Sequence, residues 1–118
     1  MKIKKKKNLF LKKIIKNIKK IKGKNIKLID TRKKNNNLFD FFLICEGKTN
    51  IQVKTIFYKI EKSIYKNFNI KPKNIEGLNN LKWILIDYNF LIVNIFIKKN
   101  RNYYNIDNFW DKFPKINF

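Results

Sequence analysis

Polar and apolar positions along this chain follow two different rhythms. Between Leu9 and Lys22, apolar residues stand at Phe10, Ile14, Ile15, Ile18 and Ile21, with lysine at many of the other positions. That three-to-four spacing predicts a helix with one buried stripe, with Gly23 as its C-terminal cap. Val53, Ile56, Phe57, Ile60 and Ile64 repeat the pattern. A second helix is therefore expected from an N-cap at Thr49 to near Phe68. Other segments keep the period of strands. Asn25–Asp30 alternates weakly. Leu38–Cys45 is apolar except for Asp40, as in a central strand covered on both faces. Lys73–Glu76 has room for a short strand after Pro72. Lys82–Tyr88 and Phe90–Ile97 are apolar runs around Asn89, which tolerates the left-handed backbone of a tight hairpin turn. The polar stretch Thr31–Asn37 reads as a loop, and Asn100–Lys112 as a final short helix.

The resulting order is α-β-β-α-β-β-β-α with mostly short connections. It implies an α/β (α+β) protein, a single sheet with flanking helices. At 118 residues the chain has the size of one domain, and it holds neither an internal repeat nor a linker long enough to divide it. The expected organisation is a basic amphipathic helix over residues 1–22 and an α/β body over residues 23–118, one domain overall.

Charge adds a question about partners. Lys and Arg number 29 against 8 Asp and Glu, a net charge of +21. Only Arg32 and Arg101 are arginine, and alanine is absent. Lys, Ile, Asn and Phe are encoded by codons made wholly or nearly of A and T, so one reading of the lysine excess is an AT-rich genome. The other is attraction to a polyanion. The lysine face of the first helix has the same two readings: a solvated surface, or a contact with RNA phosphates.

Catalytic chemistry has little to work with. The acids are Asp30, Asp40, Glu46, Glu61, Glu76, Asp87, Asp107 and Asp111. No two stand one residue apart, so no strand can aim a carboxylate pair at Mg²⁺. Three glycines make no phosphate loop, and Ser63 falls mid-helix. With no histidine and one cysteine, zinc is excluded on ligand count. Cys45 lies in an apolar run and reads as a small buried hydrophobe. No catalytic residue, cofactor or metal is expected. Behind Lys2–Lys7 the apolar run is only Leu9–Leu11, too short for a signal-peptide core. Lys82, Asp87, Asn89 and Asn94 interrupt Leu81–Ile97, which argues against a membrane span. A soluble cytoplasmic protein is the expectation.

A binding surface is the alternative to catalysis. Along one strand, Trp83, Leu85 and Asp87 point to one side, and Ile84, Ile86 and Tyr88 to the other. One side is core and the other is available. Trp83 either packs under a helix or centres a contact patch. Tyr88 and Tyr104 are open between core and contact. Asp40 and Asp87 suit turn caps or lysine partners.

Several segments occur together in a specific order. They are Asp30, Asp40-Phe41-Phe42-Leu43-Ile44-Cys45-Glu46-Gly47, Gln52-Val53, Glu76-Gly77, Trp83-Ile84-Leu85-Ile86-Asp87-Tyr88, and Arg101, Tyr103-Tyr104 and Trp110. In that order and at those spacings the chain, from Gly23 to Phe113, resembles the ribosomal silencing factor (Iojap-related, RsfS) family. The resemblance implies a mixed sheet related to the nucleotidyltransferase fold, a relation that raises an enzymatic reading which the scattered acids argue against. It implies docking on the large ribosomal subunit, at its interface protein uL-fourteen, and steric blockage of small-subunit joining that represses translation. Trp83, Leu85, Asp87, Tyr88, Phe90 and Tyr104 would be the ribosome-binding residues, with lysines reaching adjacent ribosomal RNA. A basic RNA-binding module in ribosome assembly is the alternative, and a degenerate nucleotidyltransferase a third reading. Three positions depart from the family pattern. The turn is Tyr88-Asn89-Phe90 where Tyr-Gly-Asp is common, Asn94 stands for a histidine, and Glu46 for a small residue.

Overall fold

A computed structural model describes residues 4–32 and 38–118, the side chains of residues 102–104 excepted. The helices and strands follow in the order α1 (Lys5–Lys20), β1 (Lys24–Asp30), β2 (Phe41–Gly47), α2 (Asn50–Phe68), β3 (Asn74–Glu76), β4 (Trp83–Asp87), β5 (Leu91–Ile97), α3 (Lys98–Tyr104), α4 (Ile106–Phe109) and β6 (Lys115–Ile116).

The two long helices form where the apolar stripes predict them. Phe10, Leu11, Ile14, Ile15 and Ile18 are the buried apolar residues of α1, and Val53, Ile56, Phe57, Ile60 and Ile64 those of α2. Each such side chain contributes about 1.5–3 kcal/mol when fully buried. Thr49 caps α2, its side chain accepting from the Gln52 N–H at 3.1 Å. Asn69 ends the helix in the left-handed conformation, φ 55°. At the end of α1 the expected role of Gly23 is corrected. Lys22 takes the left-handed backbone (φ 64°), and Gly23 follows it, its N–H donating to the Ile18 carbonyl at 2.9 Å. Together with the Lys22 N–H to Lys19 carbonyl bond, this satisfies the last carbonyls of the helix. A Cβ at Gly23 would collide with the Ile18 side chain, so the glycine serves close packing.

The six strands lie in the order β3-β4-β5-β2-β1-β6. β2 and β5 are parallel and every other pair is antiparallel, giving a single mixed sheet. All seven residues of β2 are buried, as its apolar run predicts for a central strand. The strand begins at Phe41 rather than Leu38. Leu38 is 74% exposed, and the Thr31 hydroxyl donates to the Phe39 carbonyl at 2.9 Å. The expected single helix over Asn100–Lys112 is two pieces, because Asn105 adopts a left-handed backbone (φ 54°) between α3 and α4. β6, which was not expected, adds an edge beside β1.

The sheet separates two apolar layers. Leu28, Leu43, Cys45, Ile84, Ile86, Val93 and Ile95 face α1 and α2 in the larger one. On the opposite face Ile29, Phe42, Ile44 and Phe96 form a smaller layer with Trp110. This second cover reaches only part of the sheet, and the uncovered part is where β4 lies.

Candidate functional site

β4 alternates as its sequence predicts. Ile84 and Ile86 are fully buried toward the helices, while Trp83, Leu85 and Asp87 are half-exposed on the other face. The left-handed Gly77 (φ 92°) lets the chain pass close to β4, and a Cβ there would collide with the Trp83 carbonyl. The Trp83 ring stacks on Phe96 with centroids 4.9 Å apart and planes at 24°. Its Nε1–H donates to Asn94 Oδ1 at 2.9 Å, and the fully buried Asn94 donates its amide to the Leu43 carbonyl at 3.2 Å. A half-exposed tryptophan fixed in one orientation presents its outer surface with little entropy left to lose on binding.

Strand register extends this surface. Asn74 and Glu76 of β3 pair with Asp87 and Leu85, and Ile92 of β5 pairs with Asp87, so all three share the Trp83 face. The strip formed by Asn74, Glu76, Trp83, Leu85, Asp87 and Ile92 carries two carboxylates and no ammonium group. On a chain of net charge +21 that is a local reversal of sign. Glu76 lies on the β3 side of Leu85, and Asp87 lies on β4 between Asn74 and Ile92.

The other expected docking residues are distributed differently. Tyr88 is 5% exposed and belongs to the helix-side core, edge-on to Phe10 at 5.2 Å. Burial pushes its hydroxyl pKa up. Phe90 is half-buried on the same side, packed on Phe10 at 5.1 Å with the Lys7 ammonium over its ring. Tyr88 and Phe90 thus lie across the sheet from Trp83: the turn at Asn89 (φ 76°) directs them toward α1. The side chain of Tyr104 lies outside the described residues. Asp87 caps the hairpin turn, accepting from the Asn89 N–H at 2.7 Å, and Asp40 pairs with Lys7 at 2.9 Å.

One constellation escaped sequence reasoning. Arg101, 5% exposed, donates to Glu46 Oε1 at 3.1 Å, to the Asn25 carbonyl at 2.6 Å and to both carboxylate oxygens of Asp107 at 2.9 and 3.0 Å. Burial works against the guanidinium charge, but the Asp107 hydrogen bonds and the charges of Asp107 and Glu46 outweigh it, so its pKa is raised. Asp107 is held at about 2, chiefly by its hydrogen bond from Arg101, with Lys27 assisting at 2.9 Å. Arg101 and Glu46 are 55 positions apart, so no local pattern announces the pair. The arrangement fastens α3 and α4 to β1 and β2.

Reactive groups are few. Burial raises the Cys45 thiol to about 12, leaving it protonated. Among the described residues, no group of three or more Cys, Asp or Glu is placed to hold a metal ion. No helix among them is long and apolar enough to cross a membrane.

Comparison with known proteins bears on the whole chain. Residues 4–118 match the family described as ribosomal silencing factor during starvation, RsfS. The chain is 36% identical to the ribosomal silencing factor RsfS of Halalkalibacterium halodurans over 77 residues, which cover 65% of each chain. It is also 36% identical to that of Bacillus subtilis over 75 residues, covering 64% of this chain and 63% of the relative. The aligned region thus spans slightly less than two thirds of each relative. A crystal structure of a Chromobacterium violaceum protein superimposes with a TM-score of 0.82 at 27% identity, covering 94% of this chain and 88% of that one. Match, identity and fold agree, and the chain belongs to the ribosomal silencing factor family.

Proposed function

We propose that this protein silences translation by docking on the large ribosomal subunit through the Trp83 strip, at the interface protein uL-fourteen, and blocking the small subunit sterically. The observation that carries the reading is the strip itself: a fixed tryptophan with Leu85 next to it on the same face of β4, Ile92 at the far end, and the carboxylates of Glu76 and Asp87 among them. Buried aromatic anchors of this kind dominate interface energies. The acids suit a basic protein surface and would be repelled by RNA phosphates, so the strip favours a protein contact. Steric exclusion needs no reacting group, and the chain's silent thiol and scattered carboxylates are consistent with that. Lysines outside the strip are free to meet neighbouring ribosomal RNA.

Co-sedimentation with separated ribosomal subunits from the same organism tests the proposal. The protein is expected to travel with large subunits and not with small ones, and to lower the yield of joined ribosomes when added first. Equal binding to both subunits would favour a general RNA-binding module in ribosome assembly and contradict the proposal.

A further inference from the structure

The helical face, across the sheet from Trp83, carries a second surface of opposite character. α1 and α2 run antiparallel. Phe10 near the start of α1 meets Phe68 at the end of α2 at 5.1 Å, and Gln52 at the start of α2 donates to the Ile21 carbonyl at 2.9 Å. A groove of about 410 Å³ runs between them. Lys13 and Lys20 line it from α1, and Lys59, Lys62 and Lys66 from α2, with Asn17 and Ser63 between; no carboxylate lines it. None of the five ammonium groups forms an ion pair with a described carboxylate. Such crowding of like charge opposes folding of the free protein. Asn17 is only 5% exposed, and its Nδ2 has no hydrogen-bond partner among the described residues. Buried amides are nearly always paired. The groove therefore offers five cationic donors, beside a buried, unpaired amide that an acceptor oxygen can satisfy once the Asn17 side chain turns outward.

Spacing selects among anions. On each helix the outer lysines are seven residues apart, Lys13 to Lys20 and Lys59 to Lys66, about 10 Å along the axis. A nucleic-acid strand carries one phosphate on every nucleotide, so a strand following the groove brings more than one charge along that length. A single phosphate reaches one rung of lysines, whereas a backbone spans both. The concavity also disfavours a flat lipid surface, which would not reach Asn17.

We propose that the α1–α2 groove is a separate site that grips the phosphodiester backbone of an RNA strand. It is independent of the docking reading, because groove and strip lie on opposite faces of the sheet. A molecule seated through Trp83 keeps the groove open.

The test uses isolated RNA, so that failure of ribosome docking does not affect it. Binding of a short fluorescein-labelled polyuridylate is followed by anisotropy across a salt series. Four proteins are compared: the natural chain, K20E/K59E/K66E in the groove, K48E/K73E/K112E at exposed lysines elsewhere with the same charge change, and Asn17→Leu. The groove variant is expected to lose about tenfold in affinity and about two units of salt slope, as for three lost phosphate contacts. The control should lose much less. Asn17→Leu is expected to weaken RNA binding about threefold without lowering the melting temperature. Equal losses in the two triple variants, or unchanged affinity in Asn17→Leu, would overturn the proposal. So would polyglutamate of equal charge binding as tightly as the RNA with the same dependence on the groove, which would assign the site to acidic polypeptides.

Discussion

The indole N–H of Trp83 donates to Asn94 Oδ1 across the β4–β5 pair at 2.9 Å, and the Asn94 amide in turn holds the Leu43 carbonyl on β2. An exposed anchor is thereby tied to the centre of the sheet. Asn94→Val keeps a good strand former in place but leaves both partners without their bonds. It is expected to cost about 1–3 kcal/mol of stability, since a buried carbonyl loses its donor. Chemical denaturation measures the loss. Faster hydrogen exchange of the Trp83 indole would report the freed ring, and unchanged exchange would show that its packing, including the Phe96 stack, fixes it without the hydrogen bond.

The two tryptophans are expected to respond differently to truncation. Trp110 is 7% exposed and stacks on Phe42 with centroids 4.5 Å apart, closing the smaller apolar layer. Trp110→Ala is expected to cost about 3–5 kcal/mol, the range for a buried tryptophan. Trp83→Ala, from a half-exposed position, should cost less. Denaturant midpoints of the two variants, measured together, check the order.

Acid should loosen the C-terminal helices through Asp107. Its folded pKa of about 2 lies below the ordinary aspartate value of 3.8. A depressed carboxylate pKa adds stability that is fully present above the unfolded value and is lost as pH falls through the folded one. The window is therefore from about pH 4 down to about pH 2. With its side chain 24% exposed, Asp107 accounts for about 1–2 kcal/mol of this loss. Asp107→Asn should already lack that part at neutral pH and show a flatter acid limb. A variant that keeps the full acid dependence would place it on other carboxylates.

What local pattern controls was legible in the chain. The buried stripes of α1 and α2, the Thr49 cap, the Asn89 turn and the alternation of β4 all depend on neighbours within a few positions. The order of strands does not. The parallel β2–β5 pair joins Phe41 to Leu91 and Gly47 to Ile97, and only the packed sheet decides that. The break at Asn105 was hidden because asparagine there needs only a positive φ, which many sequences meet silently. β6 is two residues long, too short to carry a period.

The candidate site was legible in part for the same reason. Period-two alternation separated Trp83, Leu85 and Asp87 from Ile84 and Ile86. It also placed Tyr88 opposite Trp83, and the structure adds that α1 covers that side. Glu76 and Asn74 joined the strip only through the β3–β4 register. The lysine groove needs two helices brought side by side, so no single helix pattern could reveal it.

The proposed docking of the Trp83 strip on the large subunit is tested by titrating large subunits with Trp83→Ala and Leu85→Lys, with thermal melting of the same preparations. Binding is expected to weaken by about 2 kcal/mol or more for Trp83→Ala, and to fall for Leu85→Lys, while both proteins remain folded and melt cooperatively. Undiminished binding by either folded variant, or melting that collapses in parallel with binding, would contradict the claim.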